Sequence, residues 1–86
     1  MQYMVTTFIG HLTKYRLFES YDEAVIYHDR EVSMIFKANQ LRNVEIDTTK
    51  TYGGRIVSTR LIEWLGNDTP ILQPIGLVTI NEWEEE

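Results

Sequence analysis

A chain of 86 residues with a formal net charge of −5 and no cysteine has material for one modest core, and splitting it would leave pieces too small to bury one without a disulfide or a metal. The missing cysteine removes disulfide staples, thiolate zinc sites and cysteine nucleophiles, and fits a reducing cytosol. The charge is uneven: residues 1–60 carry 8 basic and 7 acidic side chains, whereas residues 61–86 carry 6 acidic ones (Glu63, Asp68, Glu82, Glu84, Glu85 and Glu86) and no basic ones, a block that repels duplex DNA and favours a basic protein surface.

The opening residues have neither a basic leader nor a long apolar run, and no segment approaches the ~20 apolar residues of a membrane span. The expectation is a cytoplasmic protein, soluble and without a membrane anchor, folding as one domain over residues 1–86 with 82–86 a frayed acidic tail. Dimerisation would add contact area to so small a core.

Taken in chain order, Tyr3 to Ile9 is a β-branched and aromatic run that stops at Gly10, and Leu12 to Phe18 resumes with Thr13, Tyr15 and Leu17 alternating. Gly10-His11 between them suits a tight Gly-X turn, so the chain opens with two antiparallel strands. Residues 20–38 support two readings. Ser20 and Glu23 make a capping box, and Val25, His28, Val32, Ile35 and Phe36 share one helical face. Against this, Val25-Ile26-Tyr27 and Met34-Ile35-Phe36 are two apolar bursts either side of the polar His28-Asp29-Arg30-Glu31. The hairpin reading is preferred, because a helix leaves Ile26, Tyr27 and Met34 off its buried face.

The stretch TTKTYGGRIVSTR over residues 48–60 reads as a second hairpin. A two-residue Gly53-Gly54 turn makes opposed residue numbers sum to 107, which sets Asp47 against Arg60, Ile46 against Leu61, Thr49 against Ser58 and Lys50 against Val57. Val44, Ile46, Thr48, Val57, Thr59 and Leu61 then share one face, and a one-residue slip destroys that sorting. A helix over 55–65, ended by Gly66-Asn67, is the rival reading. The following NDTPILQPI holds both prolines and reads as a connecting loop with Ile71 and Leu72 as apolar anchors. Gly76 to Trp83 alternates as a last strand, with no internal repeat anywhere. The expected architecture is mainly β: a small antiparallel barrel or roll with at most one or two short helices. The alternative is an α+β fold with a helix at about 21–38 or 55–65 packed on an antiparallel sheet.

Chemistry is sparse. The paired glycines do not make a phosphate loop, since Lys50-Thr51 precedes them and no glycine lies upstream at the required spacing. His11 and His28 have no second ligand at helical spacing, and His28-Asp29 lacks the further ligands of a metal site. No serine or threonine sits in a nucleophile motif, and the paired carboxylates lie in exposed-looking runs. No enzyme activity, cofactor or metal is expected.

Two functions from different classes fit. The preferred one is a protein-binding module whose partner-binding residues are Trp64, Trp83, Glu82, Glu84, Glu85 and Glu86, tryptophan serving as anchor and charge steering the module to a protein with a basic surface. By analogy of size and charge it would act as small phage or mobile-element inhibitors do, its acidic C-terminal end competing for a host protein's basic site. The alternative is a small β barrel binding a nucleotide or single-stranded nucleic acid through Lys50, Tyr52 and Arg55 at the hairpin tip, with Lys37 and Arg42 nearby in charge. The plainer readings are core packing for the tryptophans and solvation for the tip.

Overall fold

The computed structural model describes residues 1–66 and 71–84, the side chain of residue 71 excepted. Strands β1 (Gln2–Ile9) and β2 (Leu12–Phe18) form the first antiparallel hairpin, with Ile9 opposite Leu12. Gly10 takes φ +57°, the left-handed value that the first position of a Gly-X turn requires and that a side chain would resist.

Residues 21–38 are a helix, α1 (Tyr21–Ala38), and not the hairpin preferred from sequence. The Ser20 hydroxyl accepts from the Glu23 amide at 3.2 Å, Asp22 and Glu23 place negative charge in the first turn, and the Asn39 side chain donates to the Ile35 carbonyl at 2.7 Å. Both ends are therefore closed by side chains. The stripe that meets the sheet is Ala24, His28, Glu31 and Ile35, a spacing of one helical face. Ile26 and Met34 do stay outside, 70 % and 48 % exposed. The two apolar bursts that suggested strands flank the contact line, while the line itself carries two ionisable groups.

Strands β3 (Val44–Lys50), β4 (Ile56–Leu65) and β5 (Ile71–Trp83) complete a five-stranded sheet ordered β2-β1-β5-β4-β3, with every neighbouring pair antiparallel. The protein is mainly β with one helix. The sheet does not close into the expected barrel or roll: β2 and β3 remain separate edges, because α1 covers the apolar face in place of further strands. Residues 55–65 hold the preferred strand reading as β4. Its register against β3 follows the sum of 107 from Val44–Glu63 to Thr49–Ser58, and Arg60 bonds Asp47 at 2.6 Å.

Two local expectations are corrected. After Thr49 the register shifts, so that Lys50 faces Ile56 rather than Val57. The connection is a loop over Thr51–Arg55, closed by Thr51 N–H donating to the Arg55 carbonyl at 2.7 Å and Gly54 N–H to the Thr51 carbonyl at 2.9 Å, and of its two glycines only Gly54, at φ +86°, is left-handed. Residues 71–75, read as loop, belong to β5. Leu61 pairs Gly76 and Ile62 pairs Pro74, leaving Ile75 as an extra residue just past the last β1 pair, Ile9–Gly76. A bulge where one neighbour has ended is where a strand tolerates proline. The remainder of that predicted loop, residues 67–70, lies outside the described residues.

The core is the layer between α1 and the sheet: Val5, Leu61, Val78 and Ile80 from the strands against Ala24 and Ile35 from the helix. Gly76 is the seat of the helix. A Cβ there would lie 3.2 Å from Ile35 Cδ1, 3.4 Å from Ile35 Cγ2 and 3.4 Å from the Phe8 carbonyl oxygen. Beside this core Glu31, 2 % exposed, bonds the Lys14 ammonium through Oε1 at 2.7 Å, while its Oε2 is buried without a hydrogen-bond partner among the described residues. Among the described residues, no helix is long and apolar enough to cross a membrane.

Two predictions follow from this packing. Gly76→Val drives two methyl groups against Ile35 and should lower stability by about 1–3 kcal/mol, read as a lower urea midpoint at unchanged slope. The second concerns pH. Burial pushes the Glu31 carboxyl up, but the bonded Lys14 ammonium together with the nearby Tyr27 hydroxyl pulls harder and holds it below its ordinary 4.5; the Lys14 contact raises Lys14 above 10.5. A depressed carboxyl stabilises above its unfolded value and loses that contribution as pH falls, whereas a raised ammonium loses its contribution as pH rises past the unfolded value. The stability gap between the native chain and Glu31→Gln should therefore be full above pH 4.5 and narrow below it, as followed by urea titrations across the acid range.

Candidate protein interface on the uncovered sheet face

Alternation along each strand sends every second side chain away from α1. Cross-strand pairing arranges these in rows. One row runs Tyr15, Thr6, Thr79, Ser58, Thr49, a hydroxyl from each of the five strands. The next runs Thr13, Phe8, Leu77, Arg60, Asp47. Beyond the Ile75 bulge stand Ile62 with Pro74 and Trp64 with Leu72. Phe8, Ile62, Leu72, Pro74 and Leu77 line a shallow cup of about 530 Å³ with Arg60 at its border.

An antiparallel sheet with one bare face ordinarily turns polar side chains to water. This bare face is polar along its hydroxyl row but apolar around the cup, with Phe8 38 % exposed, Leu72 51 % and Trp64 37 %. Its charged groups are engaged: Asp47 holds Arg60 at 2.6 Å, and Trp64 Nε1–H donates to Glu45 Oε2 at 3.0 Å. An apolar patch with a polar border is the usual mark of an interaction surface.

The residues selected from sequence are placed unevenly. Trp64 and Trp83 share this face, but Trp64 pairs Leu72 near the start of β5 and Trp83 ends the strand opposite Gln2, roughly 35 Å away along the chain at 3.3 Å per residue. They are two separate anchors. Glu82 lies on the other face in the row of Tyr3, Glu84 borders a hollow with Met1, Gln2 and Trp83, and Glu85 and Glu86 are outside the described residues. Sequence reasoning missed Phe8, Leu72, Leu77, Glu45 and Asp47. The sum of 107 already put Glu45 and Asp47 on one face, but nothing local announced that β1 and β4 would flank β5 and bring Phe8 and Leu77 into the same row.

Lys50, Tyr52 and Arg55 are not brought together. Tyr52 stands free in solvent. Arg55 folds back onto the body, its guanidinium 4.7 Å from the Tyr21 ring centre and donating to the Tyr3 hydroxyl at 3.4 Å. Lys50 lines a different hollow, between α1 and β3.

That hollow contains a chain of linked polar side chains. His28 Nδ1 lies 2.9 Å from Asp29 Oδ1, His28 Nε2 lies 2.7 Å from Thr59 Oγ1, and Thr59 Oγ1 lies 3.1 Å from Thr48 Oγ1. A carboxylate only accepts, so in the neutral ring Nδ1–H donates to Asp29, Thr59 O–H donates to Nε2, and Thr48 O–H donates to Thr59. The order is that of a nucleophile, a base and an orienting carboxylate. However, Thr59 is 1 % exposed, which keeps its hydroxyl from a substrate. The relay fastens α1 to β4 and β3. Among the described residues, no three His, Cys, Asp or Glu side chains are grouped as metal ligands would be.

Thr59→Val leaves a buried imidazole nitrogen without its donor and should cost about 1–3 kcal/mol. His28→Leu in that background should cost markedly less than it does alone, because the two changes delete one shared bond; a double-mutant cycle in urea measures the coupling. No family model, curated protein or solved structure matches this chain.

Proposed function

We propose that this chain is a small, non-enzymatic protein-binding module that docks a folded partner onto the uncovered face of its sheet. The observation that supports this reading is the apolar cup formed by Phe8, Ile62, Leu72, Pro74 and Leu77 on a face that would otherwise be polar. The partner's chemistry is taken from the border. Along β3 Glu45 is acidic while Asp47 and Arg60 neutralise one another, and the chain as a whole carries −5. The complementary surface is an apolar patch bordered by lysine and arginine. Occupying such a patch would exclude polyanions from the same basic site, which is an inhibitor's mode of action. Trp64 and Trp83 serve as the two outer anchors.

The test is capture by the tagged full-length chain from nuclease-treated extract of its native host, followed by titration of the purified partner. Leu72→Asp and Phe8→Asp should each weaken binding about tenfold or more, and raising salt should slow association. A partner whose affinity ignores both substitutions, or a self-associated chain that hides this face, overturns the proposal. Loss of binding only on Lys50→Ala or Arg55→Ala would return the nucleotide reading.

A further inference from the structure

The edge strand β3 and the hollow beside it form a second surface, distinct from the cup. Trp64 N–H donates to the Asn43 carbonyl at 2.9 Å. Antiparallel partners alternate between bonded and open pairs, so Glu45, Asp47 and Thr49 make the remaining bonds to β4. The backbone N–H and C=O groups of Val44, Ile46 and Thr48 point outward, at an edge that no strand covers.

The side chains of those same three residues face the helix layer, and α1 packs chiefly on β1, β5, β4 and β2. Between α1 and β3 is a hollow of about 510 Å³, whose apolar lining is Val32, Phe36, Ile46 and Ile56. Phe36 and Ile46 are 40 % and 45 % exposed there. On the opposite face of the strand the alternating neighbours are Glu45 and Asp47. The same hollow also carries His28, Asp29, Ser33, Thr48, Lys50 and Thr59; an open backbone edge beside a hollow with apolar positions is the geometry that adds an extended peptide to a sheet.

We infer that β3 binds an extended segment of a partner protein as a sixth, antiparallel strand, with apolar side chains at alternate positions entering the hollow and Lys or Arg at the positions between. Residues opposite Val44, Ile46 and Thr48 share their face and fill the gap beside Phe36. Residues between them lie beside Glu45 and Asp47; Arg60 already holds Asp47, so cross-strand pairing favours a cation most beside Glu45. A second copy of this chain fits poorly: pairing two β3 strands about Ile46 sets Glu45 of each against Asp47 of the other, two like-charge contacts at directly opposed positions. The site uses different residues from the cup and does not rest on the proposal above.

The probe is the blocked hexapeptide acetyl-Lys-Val-Lys-Ile-Lys-Val-amide, titrated into the isotope-labelled full chain. In the inferred register the amides of Val and Ile point at β3 and those of the lysines point at solvent. Amide shifts should concentrate in residues 44–50 and around Phe36. N-methylation of the Val and Ile residues should weaken binding about tenfold or more through lost backbone bonds, while N-methylation of the lysines leaves it nearly unchanged. Phe36→Asp, checked for retained fold by circular dichroism, should weaken binding; Leu72→Asp should not. Absence of binding, equal binding of the two N-methylated peptides, or equal binding of the block isomer Lys-Lys-Lys-Val-Ile-Val overturns the inference.

Discussion

One helix cannot cover a five-stranded sheet. Eighteen residues of α1 make a rod about 27 Å long and about 10 Å wide, while five strands span about 19 Å between their outer axes on each of two faces. Whatever side α1 takes, the other side is bare, and on its own side the strand farthest from its line is reached last. Both surfaces assigned here follow from that shortfall. The cup lies on the bare side, and the hollow lies between the helix and β3.

The same shortfall explains why polar groups carry so much of the packing. Among the described residues only six apolar side chains are buried, and an apolar contact can slide along a sheet. A carboxylate that must meet Lys14 and an imidazole that must meet Thr59 cannot slide without orphaning a buried group, which is costly. His28 and Glu31, three residues apart on α1, thus fix its position towards β4 and towards β2 respectively. The absence of a side chain at Gly76 lets Ile35 settle between them.

How far the sequence revealed this depended on how local each determinant was. The β3–β4 register was legible because charge, volume and hydroxyl pairing agree across a short loop, and Asp47 with Arg60 tested the count. The Gly10 turn was legible for the same reason. The helix was misjudged because its contact stripe contains His28 and Glu31, whose partners Thr59 and Lys14 lie 31 and 17 residues away in sequence; without them the stripe scores as polar and the flanking apolar bursts dominate. The first residues of β5 were hidden by Pro74, which reads as a loop until the bulge and the end of β1 are known. The tryptophans could be named but not related, because their shared face and wide separation depend on a strand order that no local pattern encodes.

The position of β5 also sets the order in which the molecule can be assembled. β1 with β2 and β3 with β4 are each neighbours in the chain and can pair as soon as they are made. Their backbone ladders are joined through β5, the fifth strand in sequence and the central one in the sheet. Emerging from a ribosome at roughly 5–20 residues per second, the chain would hold two unjoined hairpins and a helix with half a platform beneath it. The final strand then inserts between them, closing pairings that span nearly the whole chain, such as Gln2 with Trp83, the kind of non-local closure that makes folding slow. Until β5 has paired, both edges awaiting it are open to other chains, and unpaired strand edges of that kind are what make folding intermediates prone to aggregate.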